Sequence, residues 1–188
     1  RYLDRGQAFQ PMIYEILAQY GVPRDLYYLA LIESGFSTRA HSKASAVGVW
    51  QFIKGTGKRY GLRVDYYVDQ RRDPVLATHA AAKYLGDLYR VYQSWYLAMA
   101  SYNAGERRIL NAIMSGKTRD FWELVKKKKL PRETMNYIPK FIAATIIGEH
   151  PEKYGFKINA TKTWENLAIR SAKTGVSLGQ ISRTTGIP

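Results

Sequence analysis

The 188-residue chain has 46% hydrophobic and 23% charged residues, which excludes a disordered polymer and suits one cored domain with a short appendage. A net charge of +14 draws polyanions, whether nucleic acid, anionic lipid or an acidic wall polymer. The absence of cysteine excludes disulfides and thiolate metal sites, and no apolar run is long enough to span a membrane.

The chain begins without Met and without a basic-then-apolar leader, so it is expected to be a mature or trimmed piece for which export stays open. Gln7 to Tyr20 carries Phe9, Ile13, Ile16, Leu17 and Tyr20 at helical spacing and predicts a first amphipathic helix. Gly21-Val-Pro23 breaks it. Leu26 to Ile32 is apolar on every side, as in a buried helix, and Ser34-Gly35 ends it. Residues 35–48 lack periodicity and predict a loop with a short strand at most. Val49 to Tyr60 predicts short helices cut by Gly55 and Gly57, and Gly61 to Arg72 a second loop.

Asp73-Pro74 pairs an N-cap with a first-turn proline, starting a helix that runs to about Tyr92. Trp95 to Ala104 is an apolar helix stopped at Gly105. Glu106 to Met114 and Phe121 to Val125 follow as shorter helices, and the run Lys126 to Lys129 reads as a solvated segment. Pro131 opens a long helix to about His150, interrupted or kinked at Pro139. Beyond Pro151, Lys157 to Thr163 reads as an extended link, and Trp164–Ser171 and Ser177–Arg183 as two short helices. That tail suits an adaptor or binding appendage; a helix-turn-helix nucleic-acid reader is the other reading of the same pattern.

Glu33 is the residue with chemical promise. It shares a helix face with Leu26, Leu29 and Ala30 and stands at the helix C-terminus. Apolar backing and the negative end of the helix both raise a carboxyl pKa, as a general acid requires near neutral pH. A glycine-rich loop with Trp50 and Gln51 follows. Glycosidases ordinarily use two carboxylates, yet no second acid appears near Glu33 until Asp65, Asp69 and Asp73, and Asp73 is better explained as a helix cap. Each neighbour also has a plainer reading: Trp50 and Tyr137 as core, Gln51 as a solvated loop residue, Tyr102 as packing, Asn103 as a C-cap. His41, His79 and His150 lack ligand spacing, so no metal and no cofactor are expected. Gly55-Thr-Gly57-Lys58 lacks the spacing of a phosphate loop.

Four patterns stand in order along the chain: Glu33-Ser34, Gly48-Val-Trp50-Gln51, Ala100-Ser-Tyr102-Asn103-Ala-Gly105, and Tyr137 within Pro131-Arg-Glu-Thr-Met-Asn-Tyr137. Together they resemble the soluble-lytic-transglycosylase domain, a glycoside hydrolase family related to goose-type lysozyme. The likeness covers roughly residues 10 to 150, and the tail from about Thr161 resembles the extension that often follows this domain. It implies a mostly α, lysozyme-like fold with little or no sheet, with 1–150 as the catalytic domain and 151–188 as an extension that is a truncated wall-binding or adaptor segment. It implies cleavage of the β-1,4 bond between N-acetylmuramic acid and N-acetylglucosamine in peptidoglycan, leaving a 1,6-anhydro end. Glu33 would protonate the glycosidic oxygen and then take the proton of the C6 hydroxyl. Ser34, Gly48, Trp50, Gln51, Tyr102 and Asn103 would bind the sugar, and Tyr137 would orient Glu33. A monomer in the bacterial envelope is expected, periplasmic or secreted, with glycan strands as partner, no nucleic acid, and any membrane anchor outside this chain. Two rivals stay open: a muramidase that uses water and a second carboxylate such as Asp65 or Asp69, and a wall-binding module without turnover.

Overall fold

The structure, a computed structural model, describes residues 2–159 and 177–185. Apolar positions at helical spacing bury one face of α1 (Tyr2–Gln19) through Phe9, Ile13, Ile16 and Leu17. The helix starts at Tyr2 rather than Gln7. Its first turns pack through Gly6, which lies against Tyr27 and Phe36 and gives no apolar signal in the sequence. A short 3-10 turn, Arg24–Leu26, leads into α2 (Tyr27–Ser34), whose Tyr27, Tyr28, Leu29 and Ala30 are buried as its uniform apolarity predicts.

The segment 35–53 has no regular sheet. It is pinned by isolated bridges joining His41 to Val47 and Val47 to Phe52. Helix α3 (Lys54–Arg59) includes Gly55 and Gly57 instead of being cut by them. Gly57 is buried against Leu62 and the Arg71 side chain, so packing overrides its poor helix propensity.

Helix α4 (Pro74–Tyr92) starts where Asp73-Pro74 predicts, with the Asp73 carboxylate accepting from the amides of Val75 and Leu76, both at 2.9 Å. Its buried Ala77, Ala80, Ala81 and Ala82 bring the neighbouring helices close. Helix α5 (Trp95–Ala104) is the hub: Leu97 through Ser101 are all buried, and α4, α6 (Glu106–Gly116) and α8 (Arg132–Glu149) pack around it. Burial of a side chain such as Leu97 or Met99 contributes about 2 kcal/mol. The α5 backbone is therefore a firm mount for what it carries at its C-terminal end.

After α7 (Phe121–Lys126), α8 closes the cleft side of the molecule against α2 and α5. It runs unbroken through Pro139, which is exposed. A 3-10 turn, Pro151–Tyr154, follows, and Lys157 to Asn159 are extended without regular structure. The expected helix Trp164–Ser171 and the rest of the link lie outside the described residues; the second tail helix is α9 (Leu178–Thr185). The class is mostly α, with no strand ladder among the described residues.

Candidate active site

Glu33 occupies the last turn of α2. Gly35 takes the left-handed conformation (φ 58°), its amide donates to the Leu31 carbonyl, and the Phe36 amide donates to the Ala30 carbonyl, so the helix ends at Ser34. That stop turns the chain away and leaves the Glu33 carboxyl on the wall of a cleft of about 680 Å³. Ile32, Phe52, Tyr84, Tyr102 and Tyr137 are its apolar and aromatic walls. Gln51, Asn103, Glu133 and Lys140 supply polar groups.

The Tyr137 hydroxyl donates a hydrogen bond to Glu33 Oε1. Burial pushes the Glu33 pKa from an ordinary 4.5 up to about 7; the Tyr137 bond works against that rise and the charge of Glu133 adds to it. Near neutral pH the group therefore holds a proton that it can give and take back. Burial, and then the Glu33 charge, hold the Tyr137 hydroxyl well above the ordinary tyrosine range, so it remains a donor.

The other polar groups are held by the fold. Tyr102 Oη donates to the Trp50 carbonyl at 2.7 Å, fastening the 50–52 turn to α5, and its ring packs against Tyr84 and Phe52. Gln51 has a left-handed backbone (φ 50°), and its Nε2 donates to the Gly48 carbonyl at 2.9 Å. Asn103 Oδ1 accepts from Thr134 Oγ1 at 2.9 Å, and its Nδ2 reaches Glu133 Oε1 at 3.4 Å, so it joins α5 to α8.

Glu33, Gln51, Tyr102, Asn103 and Tyr137 thus meet at one cleft. Ser34, Gly48 and Trp50, expected to touch sugar, stand behind its wall. Trp50 is fully buried and donates from Nε1 to Thr78 Oγ1 at 2.9 Å, so its ring is core and not a sugar platform. Ser34 Oγ donates to the Val49 carbonyl at 2.8 Å and accepts from the Ser37 amide. Gly48 is needed for its backbone: φ is +82°, and a Cβ there would lie 1.8 Å from the Arg71 carbonyl oxygen.

The acids proposed as second carboxylates are occupied elsewhere. Arg63, with the amides of Val68 and Tyr67, pulls Asp65 down to about 2. Asp69 is paired with buried Arg71 at 2.8 Å, and Asp73 caps α4. The second carboxylate of the cleft is Glu133. It lies one helical turn before Tyr137, so the period of α8 was the signal that would have found it. Arg71 was also missed. Its Nη1 donates to the carbonyls of Ser45 and Phe52, both at 3.0 Å, and clamps the loop that presents Gln51.

A cleft holding a tyrosine-held carboxyl of raised pKa among aromatic walls, set in a mostly helical frame, has the chemistry of a general acid–base site. Residues 11–125 match the Transglycosylase SLT domain, well over half of the chain, and the chain belongs to that family. The membrane-bound lytic murein transglycosylase D of Escherichia coli (strain K12) is 35% identical over 186 residues, covering 95% of this chain and 40% of that protein. The putative tributyltin chloride resistance protein of Alteromonas sp. (strain M-1) is 32% identical over 180 residues, covering 85% of this chain and 87% of that one. Among solved structures, an inactive mutant of the lytic transglycosylase Slt from Pseudomonas aeruginosa superposes with a TM-score of 0.65 at 20% identity, over 78% of this chain and 25% of that one, and shows the same fold.

Proposed function

We propose that the chain is the catalytic part of a peptidoglycan lytic transglycosylase. It cleaves the β-1,4 bond between N-acetylmuramic acid and N-acetylglucosamine and leaves a 1,6-anhydro end. The observation that carries this reading is the Glu33 carboxyl, raised to about 7 and held by Tyr137 inside the cleft. Protonated Glu33 gives its proton to the glycosidic oxygen as the bond to the muramoyl C1 breaks, and the released sugar leaves as an alcohol. The resulting carboxylate takes the proton of the muramoyl C6 hydroxyl while O6 bonds to C1. Glu33 ends as it began and no water is consumed. Gln51, Tyr102 and Asn103 line the sugar's path, and Tyr137 orients the carboxyl.

The chain spans 40% of the length of the transglycosylase D that it resembles. We place the protein in the bacterial envelope as a monomer acting on glycan strands. No helix among the described residues is long and apolar enough to cross a membrane. The catalytic unit is assigned to residues 1–150: the family match ends at residue 125, but α8 brings Tyr137 and Glu133 to the cleft. Residues 151–188 are then the extension.

The test is mass spectrometry of fragments released from purified peptidoglycan. Muramoyl ends lighter by one water than hydrolysed ends support the proposal. Hydrated reducing ends overturn it in favour of a muramidase, and Glu133 is the carboxylate in the cleft to which a water-activating role would fall. Tyr137→Phe is expected to lower kcat by about 10²-fold through misplacement of the carboxyl. It also removes a bond that lowers the Glu33 pKa, so the limb of the pH profile that requires a protonated Glu33 moves to higher pH. An unmoved limb would show that the hydroxyl does not act on Glu33.

A further inference from the structure

Helix α4 stands between two hollows. Its Tyr84 lines the catalytic cleft, whereas Gly86, two residues on and so on the other side of the helix, lines a separate pocket of about 260 Å³ that shares no residue with the cleft. The fold does not require a glycine there. Gly86 lies mid-helix with ordinary helical backbone, and nothing stands within 4 Å of the place a Cβ would take. An alanine would fit and would favour the helix. What the missing side chain does is to open the pocket floor down to the backbone. Tyr89 and Trp95 form one wall, stacked with centroids 4.2 Å and planes 17° apart. Tyr20 forms another, fixed by a 3.1 Å hydrogen bond between its hydroxyl and His79 Nδ1. Arg90 and Asp87 pair with each other, and Asp87 also accepts from the Tyr60 hydroxyl at 3.1 Å, so these two charges are satisfied. Lys83 forms no ion pair among the described residues, and neither the Trp95 indole N–H nor the Tyr89 hydroxyl forms a hydrogen bond among them.

Aromatic walls, an open floor and three free polar groups select among occupants. A fatty chain would leave the polar groups without partners, and a polyanion would find a single free cation. A pyranose ring satisfies both parts. Its C–H face packs on an indole or phenol ring, while its hydroxyls and acetamido group meet the indole N–H, the Tyr89 hydroxyl and the Lys83 ammonium. Resting on the proposed reaction, we infer that this pocket is a second carbohydrate site, which takes one N-acetylhexosamine unit of a wall glycan strand outside the cleft. Because α4 separates the two sites, the strand held there is a neighbour of the strand being cut. The chain then rests on one strand of the wall while it cleaves another. One sugar against an aromatic wall binds weakly, with a Kd of about 1 mM, and a wall that offers many such units makes the contact effective.

The experiment titrates the full Glu33→Gln chain with an N-acetylglucosamine trimer and follows its N–H signals by NMR. Two sets of shifts are expected. One belongs to the cleft, read at the Gln51 and Asn103 side-chain amides, and the other to the pocket, read at the Gly86 amide and the Trp95 indole N–H. Gly86→Leu fills the floor with a good helix former, so its Tm should not fall. It should nevertheless remove the shift at Trp95 while the cleft signals still respond, and lower retention of the Glu33→Gln chain on purified sacculi about tenfold. Trp95→Ala should lower that retention as well. Silence at Gly86 and Trp95 up to about 20 mM sugar, well past the expected Kd, would overturn the inference. So would a Trp95 shift that survives Gly86→Leu, or retention that this exchange leaves unchanged. Hydrated product ends from the wild-type chain would sink the proposed reaction alone, because both reactions cut the same strand; a silent pocket beside anhydro ends would sink this inference alone.

Discussion

Glu33→Gln is expected to abolish strand cleavage and, at the same time, to stabilise the protein above pH 7. The loss of activity follows from the two uses of one group. General acid or base catalysis contributes about 10²–10⁴-fold each time it operates, and Gln can neither give nor take the proton, so a fall of at least about 10³-fold is expected. The gain in stability follows from the raised pKa. Between 4.5 and about 7 the folded chain holds a proton on Glu33 that the unfolded chain has lost. Stability therefore falls as pH rises through that window, and the ionised carboxylate remains a burden above it. Gln has no charge to bury. Its advantage is nil below pH 4.5 and grows to about 3 kcal/mol above pH 7, the equivalent of the shift. Urea unfolding of both proteins on either side of the window checks this; the same difference at both ends would show that Glu33 carries no raised pKa in the folded state.

The second large effect concerns stability alone. Gly48→Ala is expected to destabilise the fold by about 3 kcal/mol or more. Two costs combine there: a left-handed backbone (φ +82°) and a Cβ placed 1.8 Å from the Arg71 carbonyl oxygen, which is backbone and cannot swing aside. Gly61→Ala separates them, because Gly61 has φ +90° and open space around it. That variant should lose about 1 kcal/mol from backbone strain alone. Thermal unfolding of the pair reads the difference, and similar losses in both would mean that the approach to Arg71 is relaxed at no cost. The loop around Gly48 also supplies Gln51, so the part of Gly48→Ala that remains folded should bind glycan more weakly.

The helices that were legible are those whose ends are written locally. Asp73-Pro74 marks the start of α4, Gly105 the end of α5, and Ser34-Gly35 the end of α2. Glu33 was legible in part, from the apolar face of its own helix, while the docking of α8 that completes its surroundings was not. What was not legible depends on partners far along the chain. Trp50 is core because Thr78 receives its indole N–H, and nothing next to Trp50 says so. Four motifs in order locate a site, but spacing does not separate a residue that touches the substrate from one that holds up such a residue. Ser34, Gly48 and Trp50 stand behind the cleft wall, held into the fold. Glu133 lies far along the chain from Glu33, and only the packing of α8 brings the two to one cleft. Gly57 misled because its helix is bought by packing against Arg71 and Leu62, not by propensity.

The late position of Tyr137 and Glu133 in the chain has a consequence for biosynthesis. Glu33 is an unusual acid only when α8 has docked against α2 and α5 and shut water away from the carboxyl. Until then the carboxyl lacks the Tyr137 hydroxyl that holds it. The last long helix thus completes the surroundings of an acid laid down near the start of the chain.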